Sequence, residues 1–467
     1  MKHPLRSLRA RSILVLASAG ALSLLLAGCS EGQAAADGAG DAASAASAPV
    51  QDAPLAAWQV ELLETARRSA SAIPLAPHVK DRSRAQEAVV TACLALDQPQ
   101  RALAAAGQIE NWRRGTGYAG VAAWAAEHGR TAEAERLLKL AQGVAEHAES
   151  GADGEGSQGW RKDRVRAAIG RTYLLLGRQE EAAPFLRASD ETLAGAAANA
   201  APAAGAPLES ATDVPPTAGP SARAESTAGR EAAARAEGAG AAGPADVEAQ
   251  LEELDAAVAA GGFDRIHDGL EACAGLFDRF YAEASLRARA EDAVKGAWKK
   301  LPVAIGIDLL GKLADAALRH EDPVKALALV EEAQQLVDGR AWIPEDAVPL
   351  QARLAALRHR AGEQDAARRQ IDAALALFDA EHLKIANVFR AGALRPVAEA
   401  LQSMGDTAGA RAVYRRAIQE GFVNPNSRPR AEDLSATCLS MAVHGVEPDA
   451  ALTAEIGRMS DALGPPW

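Results

Sequence analysis

Apolar residues recur every three or four positions through residues 54–188 and again through residues 246–467. In residues 160–188 one apolar stripe ends at Gly177 and a second begins after it. The first stripe contains Val165, Ile169, Tyr173 and Leu176. This spacing is typical of amphipathic helices, and glycine supplies the backbone conformation that ends a helix. The pattern predicts two helices joined by a tight turn.

The same break recurs along the chain. The predicted turn residues are Asp97, Gly129, Gly177, Glu321, Gly362, Gly405 and Gly445. Five residues after each turn stands an alanine, in order Ala102, Ala134, Ala182, Ala326, Ala367, Ala410 and Ala450. A helix pair of this size cannot bury its apolar faces alone, so we expect successive pairs to stack, with the alanines where helices approach closely. No such turn can be placed in residues 246–319.

Composition agrees with an all-α fold. The chain is 48% hydrophobic but only 4% aromatic, and alanine, the best helix former, supplies much of the apolar content. We predict two blocks of helical repeats, residues 54–188 and 246–467. The intervening residues 189–245 are rich in Ala, Gly, Pro and Ser and nearly free of large apolar side chains, which predicts a disordered linker.

The N-terminus has the order of a secretory signal. Four basic residues and no acid precede a 15-residue apolar run, Ser12–Leu26, which is short for a membrane span. The run ends in Leu26, Ala27, Gly28 and Cys29, which resembles a bacterial lipobox. The resemblance implies a signal peptide at 1–28, a lipid on Cys29, a flexible tether at 29–53 and a periplasm-facing position in the cell envelope, with Ser30 favouring the outer membrane. An ordinary secretory signal is the alternative.

The spacing of small and apolar residues around Gly177 resembles the tetratricopeptide repeat. The residues that carry this resemblance are Gly170, Tyr173, Gly177, Ala182 and Leu186, with a second match at Gly405, Ala410, Tyr414 and Ala417. The resemblance implies stacked helix pairs in a solenoid that binds peptides or proteins. Turn spacings of 40 to 43 residues after Glu321 exceed the 34 usual in that family, which implies longer helices or loops there.

Charge and motifs exclude several activities. The formal charge is −12, and −16 without the four leader cations, which disfavours nucleic-acid binding. The nine histidines form no metal-binding motif, and no nucleotide-binding or hydrolase motif occurs. We therefore predict no metal, no cofactor and no enzymatic activity. His128, His320 and His444 each precede a turn, where they are expected to cap helix C-termini, and Cys93 and Cys438 are expected to be buried hydrophobic residues.

One local motif is duplicated. Trp112, Arg113 and Arg114 begin 17 residues before Gly129, and Trp160, Arg161 and Lys162 begin 17 residues before Gly177. Tryptophan and arginine are common anchors of protein interfaces, so these six residues are candidates for partner binding. In the alternative hypothesis the tryptophans pack between repeats and the arginines cover them.

These observations lead to a functional hypothesis. We expect a lipid-anchored scaffold that binds another envelope protein or peptide, with the membrane contacted through Cys29. The alternative is an enzyme acting on peptidoglycan or a regulator of cell-wall synthesis, which would require convergent carboxylates in a pocket within 246–319. A third hypothesis is a purely structural spacer.

Overall fold

A computed structural model describes residues 51–147, 159–186, 244–261 and 263–467. These residues are helical and contain no strand, which confirms the all-α prediction. The predicted signal peptide and most of the predicted tether and linker lie outside the described residues.

The first helical stretch contains α1 (Ala57–Ala72), α2 (Leu75–Ala95), α3 (Pro99–Gly107), α4 (Arg113–Glu127), α5 (Thr131–His147), α6 (Gly159–Leu175) and α7 (179–186). The second contains α8 (Pro244–Ala260), α9 (Phe263–Arg279), α10 (Ala284–Ala297), a 3₁₀ turn (Trp298–Lys300), α11 (Val303–Arg319), α12 (Pro323–Asp338), α13 (Pro344–Arg360), α14 (Gln364–Glu381), α15 (Asn387–Ser403), α16 (Thr407–Phe422), α17 (Ser427–Val443) and α18 (Ala450–Asp461).

All seven predicted turn residues adopt a positive φ, between 53° at Asp97 and 100° at Gly362. In each case the N–H of the next residue donates to the carbonyl five residues earlier, as Arg178 does to Tyr173 at 2.9 Å. This bond is the Schellman closure of a helix C-terminus, and it satisfies a carbonyl that has no partner within the helix. The recurring turn therefore ends the first helix of each pair in the same way.

The alanine that follows each turn is completely buried in six of the seven pairs. Ala450 is the exception and is exposed. There four residues, instead of the one found in the other pairs, separate the turn residue from the start of α18, and the Asp449 carboxylate accepts from the N–H of Leu452 at 2.9 Å. The register predicted for this last pair is wrong, because α18 buries Leu452, Ile456 and Met459 instead.

The turn that could not be placed in residues 246–319 joins α9 to α10 at Ala282. The alanine position five residues later holds Arg287, whose guanidinium lies 4.5 Å from the Tyr281 ring centroid. The apolar position nine residues later holds Glu291, which is 7% exposed and accepts from Lys325 at 2.7 Å. The helix pair is present, but two of its register positions carry charged side chains with specific partners.

The two helical stretches form one compact unit, because α1 packs beside α17. The amide Nε2 of Gln59, at the start of α1, donates to the carbonyl of Ala442, near the end of α17, at 3.1 Å, so the two helices are antiparallel. At the other end, Arg428 lies 3.6 Å from Asp81 of α2. The first described helix thus packs against α17 as the second helix of a pair does elsewhere.

Helix α17 is enclosed by neighbours on every side. Residues 437–442 are all buried, and six consecutive positions cover the whole circumference of an α-helix. Ten of the fourteen buried polar side chains lie on α1, α2 or α17 or in the loop before α17: Thr65, Ser69, Ser83, Gln86, Asn424, Ser427, Asp433, Ser435, Thr437 and Ser440. The junction of the two stretches is therefore the most polar part of the interior described.

Candidate functional surface

The first copy of the duplicated motif lies between α2 and α4. Trp112 is 8% exposed, and the Arg113 guanidinium lies 4.6 Å from the centroid of its ring. Arg113 also forms an ion pair with Glu87 of α2, and the hydroxyl of Thr116 donates to the same carboxylate at 2.9 Å. These contacts join neighbouring helices and favour the packing hypothesis for Trp112 and Arg113, while Arg114 is half-buried beside them.

The second copy of the motif begins α6. Arg161 and Lys162 are half-buried, and the Trp160 side chain lies outside what the structure describes. Cys29 and the residues Leu26, Ala27 and Gly28 before it also lie outside the described residues. The two copies share a location, because each begins the first helix of a pair.

The first helices of successive pairs run parallel, so their ends define two edges. Lys312 of α11 bonds Glu271 of α9 at 2.5 Å, and Arg319, near the end of α11, bonds Asp278, near the end of α9, at 2.9 Å. We call the edge that carries the seven Schellman turns the turn edge. The loop edge is the opposite one, formed in the described parts of the chain by residues 73–80, 108–114, 261, 263, 298–302, 339–346, 382–388 and 422–430.

Exposed apolar side chains concentrate on the loop edge. Of the ten large hydrophobic residues exposed in the described parts of the chain, seven lie there: Leu75, Phe263, Ile343, Leu383, Val388, Phe422 and Val423. Leu383 is 90% exposed, the highest value of the ten. The turn edge contributes Val324 and Val443. Apolar residues grouped in this way mark interaction surfaces more often than single scattered ones do.

The two edges also differ in charge. Exposed basic residues of the loop edge are Lys80, Lys299, Lys300, Arg340 and Lys384, beside the exposed acids Glu110 and Asp338. Exposed acids of the turn edge are Asp97, Glu127, Glu283, Glu321, Glu363, Asp365 and Glu447. An acidic chain therefore presents its basic loops and most of its exposed apolar side chains together.

A shallow groove opens between α16 and α18. Its volume is about 300 Å³, and it is lined by Ile418, Gln419, Phe422, Glu455 and Arg458. Phe422 belongs to the loop edge, so the groove meets that edge at one end.

Three carboxylates within residues 246–319, those of Glu271, Glu291 and Asp308, are paired with lysines. Glu271 and Asp308 lie 2.5 and 3.1 Å from Lys312. Burial of Glu291 acts to raise its pKa, but hydrogen bonds from Lys295 and Lys325 outweigh it and hold the pKa below its ordinary value. A general acid needs the opposite shift, so Glu291 is not prepared for the glycosidase-type chemistry of the alternative hypothesis.

The capping histidines behave in two ways. Nδ1 of His128 lies 2.7 Å from the carbonyl oxygen of Trp124, and Nδ1 of His444 lies 2.9 Å from that of Ser440, so each contacts its own helix C-terminus as predicted. His320 also ends its helix, but its Nε2 contacts Asp278 of the neighbouring pair at 2.9 Å.

The cysteines are buried thiols. Cys93, Cys273 and Cys438 are free, and burial raises the pKa of Cys93 and of Cys438 to about 12. Among the described residues, no group of histidine, cysteine and acidic side chains is arranged to hold a metal ion. In the same parts of the chain, no helix combines the length and the apolar character needed to cross a membrane.

The loop edge was missed by reasoning from sequence, because its residues lie outside the helical register. A usable pattern exists in the loops, where a large apolar residue stands beside a basic one, as in Leu383-Lys384 and Trp298-Lys299-Lys300. Comparison with known proteins gives no further guide: no protein family, no curated protein and no solved structure matches the chain.

Proposed function

We propose that this protein is a non-catalytic scaffold of the cell envelope, anchored by a lipid on Cys29, whose helix pairs form a solenoid like that of tetratricopeptide-repeat proteins. It binds another envelope protein or peptide through the loop edge. The observation that carries the proposal is the concentration there of seven of the ten exposed large apolar side chains. A spacer without a partner would gain nothing from exposing them, since exposed apolar patches promote aggregation.

The start of the described chain supports a tethered arrangement. The N–H of Ala53 donates to the carbonyl of Asp97 at 2.9 Å, and the N–H of Gln100 donates to the Asp52 carboxylate at 2.7 Å. The chain therefore reaches the helices at the turn edge. As a flexible coil, the 22 residues at 30–51 would have a reach of about 26 Å.

Lipid anchoring is tested with Cys29→Ala. The variant is expected to leave the membrane fraction and appear as a soluble envelope protein, whereas the wild type stays with the membrane in high salt. Retention of the variant in the membrane fraction under the same salt wash would rule out the anchor.

Partner binding is tested by photocrosslinking in cells. A photoreactive amino acid is placed at Leu383 on the loop edge or, as a control, at Val324, which is 78% exposed on the turn edge. Discrete protein adducts are expected from Leu383 and not from Val324. Adducts from Val324 alone, or from neither position, would contradict binding through the loop edge.

A further inference from the structure

Three consecutive loops of the loop edge form a continuous patch. They join α12 to α13, α14 to α15 and α16 to α17, and each exposes a large apolar side chain: Ile343 at 56%, Leu383 at 90% and Val423 at 58%. Because the corresponding helices are neighbours, the loops lie side by side. A partner that buries all three must extend across at least three helix pairs, and its contacts add along its length.

The basic side chains of this patch select the charge of the partner. Arg340 and Lys384 are exposed within the first two loops. Nζ of Lys384 lies 2.5 Å from a carboxylate oxygen of Glu381, and the Lys384 side chain is 73% exposed against 27% for Glu381. Arg340 and Lys384 each stand just after the C-terminus of a second helix, α12 and α14 respectively, where a cation is favourable. The acids of the same loops, Glu345 and Asp346, are only half-buried members of the first turn of α13, so the exposed charges within these two loops are basic.

We propose that the loop edge binds an extended acidic protein segment whose apolar side chains cover Ile343, Leu383 and Val423 and whose carboxylates approach Arg340 and Lys384. This inference rests on the proposed function and specifies the chemistry of its partner. Charge complementarity favours an acidic partner, because the exposed basic residues of the loop edge outnumber its exposed acids.

The attachment of the tether favours a protein over a lipid bilayer as the occupant. Asp52 and Ala53 are fastened at the turn edge. Helices of 16 residues, such as α1, are about 24 Å long, so the loop edge lies about that far from this attachment point. The patch is therefore at the end of the helices opposite to the point where a lipid-bearing tether would join them, which favours a protein as its occupant.

The test uses the full-length lipidated protein with the photoreactive group at Leu383. Two double variants are compared, Arg340→Glu/Lys384→Glu on the loop edge and Arg136→Glu/Lys139→Glu on α5, since all four side chains are exposed. The yield of the protein adduct is expected to fall about tenfold in the first variant and to stay unchanged in the second. Circular dichroism of both variants confirms that the helices are intact.

The outcomes separate the two proposals. A protein adduct whose yield ignores the Arg340/Lys384 reversal overturns the acidic partner and leaves the scaffold function standing. Adducts to phospholipid in place of protein overturn the protein segment as occupant. An absence of any adduct from Leu383 overturns both, because the loop edge would then have no partner in the cell.

Discussion

The packing of α1 against α17 makes a direct prediction about a cleaved chain. If the chain is cut by a protease site inserted between residues 215 and 216, the two halves are expected to remain associated. On α1 alone, Leu62, Leu63, Ala66 and Ala70 are at most 3% exposed. Two buried leucines at roughly 2 kcal/mol and two alanines at roughly 0.8 kcal/mol contribute about 5–6 kcal/mol. The residues of α2 and α17 that cover the other half contribute a similar amount. The total exceeds the lower estimates of the free energy that association costs.

Leu63→Ala should weaken this association selectively. Truncating a buried leucine costs roughly 2–5 kcal/mol, which corresponds to a loss of roughly 30-fold to 4,000-fold in affinity between the halves. The assay is size-exclusion chromatography of the cleaved protein at micromolar concentration. Leu137→Ala serves as the control, because Leu137 is fully buried in α5, away from the junction, and should lower the melting temperature while leaving the halves together. Separation of the cleaved wild-type halves without denaturant would refute the reasoning.

Three further predictions concern single residues. Gly115→Ala is expected to lower the free energy of unfolding by about 1–3 kcal/mol, since the new β-carbon would lie 2.7 Å from Cγ1 of Val165. Gly143→Ala meets no atom within 4 Å and should raise it by about 0.5–1 kcal/mol. Thermal melts compare the two variants. Burial raises the pKa of Asp433 from 3.8 to about 7, so above pH 4 the unfolded chain loses this proton before the folded protein does, and the stability of the wild type falls until about pH 7. Asp433→Asn should therefore gain stability relative to wild type between pH 4 and 8, by at most about 4 kcal/mol, in denaturant titrations at both pH values. Gly405→Ala, at a φ of 83°, should cost about 1–2 kcal/mol in the same titrations.

The helix pairs were predictable where one local rule governs them. A close turn requires a positive φ at one residue, as at Gly129 or Gly177, and it buries the alanine that follows, as at Ala134 or Ala182. The two requirements place a turn residue and an alanine five positions apart in the sequence. The rule fails between α9 and α10, because Arg287 and Glu291 stand at positions that are apolar elsewhere. Their partners, Tyr281 and the lysines, are recognisable only after folding.

The junction and the loop edge could not be predicted for a different reason. Helix α17 is buried all round and rich in serine and threonine, so it has no apolar face that would show a partner. Its partner α1 is distant in the sequence, since Gln59 and Ala442, which share a hydrogen bond, lie 383 residues apart. The duplicated Trp–Arg motif was visible as a repeat, but the ion pair between its Arg113 and Glu87 of another helix was not.

Placing α1 beside α17 has a consequence for the order of folding. Ribosomes release α1 long before residues 427–443, which carry the surface that covers it. Until then α1 exposes Leu62 and Leu63, while the local pairs such as α4 with α5 are able to form. Contacts of such long sequence separation form slowly because a large loop must close first. The newly made chain therefore passes through a stage in which the apolar face of α1 is uncovered, and a chaperone that binds α1 would act at that stage.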